Sequence, residues 1–77
     1  MNELQSLILK SAYDHYVETN KLDYCCTYPP DIQGRSQYGV AIQYLSDNGY
    51  ITLCGRPAVG MQIISITDLG ISYISGS

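Results

Sequence analysis

The chain has 77 residues, a formal net charge of −3, 45 % hydrophobic residues and 14 % charged ones. That composition is too apolar for a disordered chain. The length fits a single small domain over residues 1–77, one that buries only ~60 % of its unfolded surface and gains from a partner subunit. With Lys10, Lys21, Arg35 and Arg56 as its four cations, it lacks the blanket positive charge of a sequence-blind nucleic-acid binder, but not the means to focus two or three cations at a site.

Glu3 stands where a signal peptide is basic, and the first apolar run is only Leu7-Ile8-Leu9. No secretory signal or membrane span is expected, so the expected compartment is the cytoplasm, with the three cysteines reduced. The first element reads as a helix. Asn2 can cap it with Gln5 three residues on, as in a capping box. Leu4, Ile8, Ala12 and Tyr16 recur every four residues, with Leu7 one turn from Leu4, and make one apolar face. Lys10, Asp14 and Glu18 fall away from it, and Asn20 is a terminator.

Residues 22–28 read as a short strand or extended link. Pro29 and Pro30 fit only a first helical turn, so a very short second helix is expected through Gln33, stopped by Gly34. Ser36 then caps a third helix, with Tyr38, Ala41, Ile42 and Leu45 as its core stripe. Ser36, Val40, Gln43 and Asp47 lie opposite. Asn48-Gly49 ends this helix with a left-handed residue.

A β-hairpin follows. Ile51 and Leu53 alternate with Thr52 and Cys54, and Ile64 and Ile66 alternate with Ser65, while Ile63 faces the other side. Its loose tip, "CGRPAVG", holds Arg56. Thr67 caps a short terminal helix, Asp68 suits the helix dipole, and Ile66 can staple to Ile71.

Two stretches carry a resemblance: "AIQYLSDNGYI" running into the hairpin, and the exit "ISITDLGISYI". In this order and spacing the chain resembles the winged helix-turn-helix class over nearly its whole length. The exit is similar to the leucine-threonine-x-x-glycine-x-x-tyrosine-leucine pattern of MarR-like, PadR-like and small phage or prophage winged-helix proteins. The resemblance implies an α+β fold with a three-helix core, a hairpin wing and a short C-terminal helix. It also implies sequence-specific binding of double-stranded DNA by a transcriptional regulator. The third helix would read the groove through Ser36, Gln37, Val40, Gln43 and Tyr44, with Arg35 and Arg56, and Lys21 beside them, on phosphate. Ile71, Tyr73 and Ile74 would join two copies as a homodimer. This helix departs from basic recognition helices in having no cation beyond Arg35, and it carries Asp47. The alternative is an acidic winged-helix module that binds a protein through the same face.

Other constellations read as structural. Cys25, Cys26, Cys54 and His15 lack the C-x₂₋₄-C spacing of a zinc site, and adjacent cysteines on a strand point to opposite faces. Ser11, Asp14 and His15 come without a nucleophile elbow or oxyanion loop. No phosphate-binding loop or catalytic carboxylate pair is present, so a non-enzyme without metal or cofactor is expected. All eight aromatic rings are tyrosines, and each buried hydroxyl needs a partner.

Overall fold

The computed structural model describes residues 1–76. Helix α1 (Glu3–Thr19) leads to strand β1 (Asp23–Thr27), helix α2 (Ile32–Asp47), strands β2 (Ile51–Gly55) and β3 (Met61–Ile66), and helix α3 (Asp68–Ser75). The strands form one antiparallel sheet in the order β1-β3-β2. The result is a small α+β fold of three helices and three strands.

The capping box at the start of α1 forms as expected. The Gln5 amide N–H donates to Asn2 Oδ1 at 2.8 Å, and the Asn2 N–H donates to Gln5 Oε1 at 2.9 Å. Asn20 ends the helix at φ 59°. The buried face of α1 is Gln5, Ile8, Leu9 and Ala12. Leu7, expected on that face, is 56 % exposed instead. A helix advances 100° per residue, so Leu7 and Leu9 flank Ile8 on opposite sides; Leu9 lies beside Gly70 of α3, while Leu7 borders the edge strand β1.

The separate short helix expected over residues 29–33 is not formed. One continuous α2 runs from Ile32, capped by Asp31 rather than Ser36. Asp31 Oδ2 accepts from the Gly34 N–H at 2.7 Å. Gly34 therefore does not stop a helix. It sits in the first turn, where a Cβ would lie 2.8 Å from both Asp31 Oδ1 and Pro29 Cβ. The three-helix core with an intervening second helix is accordingly corrected to two long helices joined by β1, with α3 beside them.

The core stripe of α2 holds. Ala41, Ile42 and Leu45 are buried, and Tyr38 packs against the same cluster. The helix ends in a Schellman motif: the Tyr50 N–H donates to the Leu45 carbonyl, and the Gly49 N–H to that of Ser46. Gly49 takes φ 79° there, a conformation that penalises any side chain with a Cβ. This reversal lets β2 start at Ile51, with only Gly49 and Tyr50 between it and the cap.

The sheet register puts Ile51, Leu53, Tyr24, Cys26, Gln62, Ile64 and Ile66 on the helix-covered face. Ile63 points to the other face, as its place in the alternation requires. Leu53 is on the covered side, yet it is 42 % exposed, because the hairpin runs out past the helices there. A bulge between Leu53 and Gly55 interrupts β2. Thr67 caps α3, its Oγ1 accepting from the Gly70 N–H. The same hydroxyl can donate to the carbonyl of Gly49 or of Tyr50, which ties α3 to the turn after α2. Among the described residues no helix is long and apolar enough to cross a membrane.

Candidate nucleic-acid interface

The expected site residues fall on two elements. Ser36, Gln37, Val40, Gln43 and Tyr44 all lie on the exposed side of α2, opposite Ala41, Ile42 and Leu45. This is the helical period at work, since one buried stripe leaves the rest of the cylinder free. Val40 is 67 % exposed at the centre of this surface. Arg35 is on the flank of α2, where its Nε donates to the Pro29 carbonyl at 3.3 Å. Arg56 follows β2, on the hairpin.

Two side chains on the α2 surface are already engaged with each other. Gln43 Nε2 donates to Asp47 Oδ1 at 2.7 Å, one helical turn away. The carboxylate thus claims the donor that Gln43 would need to read an adenine edge.

Arg56 is held as well. Its Nε donates to Gln62 Oε1 at 3.2 Å. Gln62 is buried, and its Nε2 donates to the carbonyls of Gly55 at 2.9 Å and Ile63 at 3.0 Å. A buried amide thus satisfies the carbonyl exposed by the bulge and orients the guanidinium. Among the described residues no further hydrogen bond or ion pair engages Arg56. The turn itself, Pro57 to Gly60, is apolar, and Val59 at its apex is 91 % exposed.

Gln62 and its role were absent from the sequence reading. The signal was available: Gln62 shares the alternation phase of Ile64 and Ile66, so a polar residue had to enter the core face. A second feature needed three dimensions. The first turn of α1 approaches α2, and Asn2, Glu3, Leu4, Ser36, Val40 and Ala41 line a cleft of about 490 Å³. Glu3 puts a negative charge on its rim.

The residues expected at a dimer contact are divided. Ile71 and Ile74 pack against the chain's own core. Tyr73 stays exposed and meets Tyr50 edge-on, with ring centroids 5.3 Å apart. The cysteines separate as strand geometry requires: Cys26 is buried, and Cys25 and Cys54 are exposed. Burial pushes the Cys26 thiol up, with Cys25 adding to the effect. Burial also pushes the Tyr24 hydroxyl up, helped by Cys26 and opposed by Ser11. His15 lies against the Tyr24 ring at 5.4 Å. Among the described residues no three His, Cys, Asp or Glu side chains are grouped to hold a metal ion.

No family model, curated protein or solved structure matches this chain.

Proposed function

We propose that this protein is a small winged-helix regulator that binds double-stranded DNA as a homodimer. In this reading α2 enters the major groove and the β2–β3 hairpin is the wing. One observation carries it. A strand order of β1-β3-β2 places the hairpin directly after a helix whose exposed side is uncovered, with an oriented arginine at the hairpin. Gln37, Val40, Gln43 and Tyr44 then face base edges, with Ser36 beside them, and Arg35 and Arg56 hold phosphates. Tyr73 is the one residue of the expected α3 contact that is free to reach a second copy.

Asp47 gives this reading a direct test. It is a negative charge one turn from the groove-facing residues, and it occupies Gln43. Asp47→Asn removes the repulsion from phosphate, so affinity for every duplex should rise in fluorescence anisotropy. Gln43→Ala should instead relax the preference at one base position, at a cost of ~1–3 kcal/mol for the favoured base. Equal effects of Gln43→Ala on selected and scrambled duplexes would refute base readout.

The second reading is a protein-binding module that uses the same side of α2. The cleft beside Val40, bordered by Leu4 and Glu3 and lacking any cation, favours it. Val40→Lys separates the two. It places a cation in the negative potential of the groove and changes DNA affinity or site preference under the first reading, whereas under the second it leaves DNA affinity absent.

A further inference from the structure

The parity of the backbone hydrogen bonds leaves one edge of the sheet open. The Tyr28 N–H donates to the Gly60 carbonyl and the Ile66 N–H to the Leu22 carbonyl. Residues 22 and 28 therefore face β3, and with them Tyr24 and Cys26, because bonded pairs alternate along an antiparallel ladder. The N–H and C=O groups of Asp23, Cys25 and Thr27 point the other way, to the free side of β1.

Sheet edges are ordinarily blunted by prolines, lysines, bulges or covering segments. Strand β2, the other edge, has its bulge after Leu53 and ends in Gly55. Strand β1 is short and carries Asp23, but it has no bulge, lysine or proline within it: Asp-Tyr-Cys-Cys-Thr pairs with β3 without a register shift.

We infer that β1 is an interface between two copies of this chain, pairing antiparallel with itself about a two-fold axis at Cys25. Asp23 then meets Thr27 of the second copy, Cys25 meets Cys25, and Thr27 meets Asp23. Three bonded pairs with two N–H···O bonds each give six hydrogen bonds. Centring one step toward the N-terminus would oppose Thr27 to Lys21, whose N–H is already given to Thr19 Oγ1. Centring one step toward the prolines would oppose Asp23 to Pro29, which has no N–H to give. The chosen register also keeps Asp23 away from its own copy and gives it a threonine hydroxyl.

The helix side of the edge fits the same occupant. A cleft of about 200 Å³ between α1, β1 and α2 is bordered by Leu7, Ser11, Tyr24 and Tyr38 and by no residue of β3. Leu7 stands exposed at it, and Leu22 is exposed at the start of β1. In this register Leu22 faces Tyr28 of the second copy. Antiparallel pairing about an axis normal to the sheet places both sets of helices on one side of a six-stranded sheet. The surface differs from α3, whose Ile71 and Ile74 are spent on the chain's own core. The inference concerns assembly and holds whether or not DNA is the ligand.

The geometry supplies its own reporter. Bonded antiparallel pairs have Cα atoms about 5.5 Å apart, inside the Cα span of a disulfide, but their Cβ atoms stand wider than the bond prefers, so a Cys25 link forms with a small local shift of the two strands. The test uses the full chain carrying Cys54→Ser, so that Cys25 is the one exposed thiol. Sedimentation velocity should show a dimer at high micromolar concentration. Diamide, whose N=N bond takes up the two electrons and two protons of the paired thiols, should convert most of it to a reducible dimer linked Cys25 to Cys25 in a peptide map. Cys25→Lys sets two ammonium groups opposite each other across the axis, and Thr27→Pro removes an outward N–H that β3 does not use. Each should give a monomer with its circular-dichroism melt retained. Should one of them fail to fold, the other decides. A chain that is monomeric at every concentration, or a dimer that survives these substitutions, overturns the inference. DNA binding is read separately. A wild-type dimer without DNA affinity removes the proposed function and keeps this surface, and a DNA-binding monomer removes this surface and keeps DNA binding without the homodimer.

Discussion

Gly70 is the glycine of the stretch "ISITDLGISYI" that follows the hairpin, and the structure gives it a sharp role. It is buried in the first turn of α3. A Cβ built on it would press into the Tyr50 carbonyl oxygen, and would lie 2.9 Å from Ile66 Cγ1 and 3.2 Å from Leu9 Cδ1. The Tyr50 carbonyl cannot simply yield, because it accepts from the Thr67 N–H at 3.1 Å and can accept from the Thr67 hydroxyl. Helix propensity alone argues the opposite way. Replacing a helical glycine by alanine is worth about 1 kcal/mol in favour of the variant. Overpacking a tight site costs about 1–3 kcal/mol and more where backbone must move. Because the neighbour here is backbone, the clash should win, leaving Gly70→Ala net destabilised by up to roughly 2 kcal/mol, with Tm lowered by about 4–8 °C per kcal/mol for a domain this small. Gly39, in the middle of α2, has nothing within 4 Å of its would-be Cβ. Gly39→Ala should therefore gain stability, by roughly 0.5–1 kcal/mol. Thermal melts followed by circular dichroism at one protein concentration compare the two. If Gly70→Ala raises Tm as Gly39→Ala does, α3 does not dock on the turn after α2 as described.

Three further outcomes are expected. Asp31→Ala should cost about 0.5–2 kcal/mol in a urea titration while Ser36→Ala stays near neutral, since Asp31 is the cap of α2; the reverse ranking would restore a separate short helix. Leu45→Ala, at a position with no exposure, should destabilise by about 2–5 kcal/mol in the same titration, and an unchanged midpoint would refute the register of α2. Among the cysteines, Cys26 should alkylate most slowly with iodoacetamide at mildly alkaline pH. Its raised pKa holds it as the unreactive thiol where an ordinary cysteine has begun to ionise, and rapid modification of Cys26 in the folded protein would contradict its burial.

Several elements were legible because a local rule sufficed. Asn2 with Gln5, Thr67 before Asp68, and Asn48-Gly49 each specify a cap from a few adjacent residues, and the α2 stripe follows from the helical period. The strand phase of Ile64 and Ile66 was equally plain. Competition between adjacent signals was harder to weigh. Asp31 and Ser36 are both good caps, and Gly34 between them looked like a stop. The outcome depended on Pro29 and the Asp31 carboxylate both packing where Gly34 has no side chain. Leu7 and Leu9 are equivalent in composition, and only the placement of α3 beside Leu9 decides which one is buried. At the candidate site, the α2 residues could be placed from the period alone. The bond between Gln43 and Asp47 has helical i, i+4 spacing and was within reach of a sequence argument. The Gln62 clamp on Arg56 depends on a bulge that no turn residue announces. The open edge of β1 required the full hydrogen-bond parity of the sheet.

DNA binding through α2 and Arg56 is tested most directly by the salt dependence of duplex affinity. Fluorescence anisotropy on duplexes selected from random sequence, repeated across salt concentrations, gives both the affinity and the number of phosphates engaged. With Arg35 and Arg56 each holding one phosphate in both copies, four contacts predict a slope of about −3.6 in log K against log salt, and Arg56→Ala should flatten it by about 1.8. If no duplex binds more tightly than about 100 µM at low salt, the weak limit of non-specific binding at physiological salt, the account is contradicted, and the exposed side of α2 is not a DNA-reading surface.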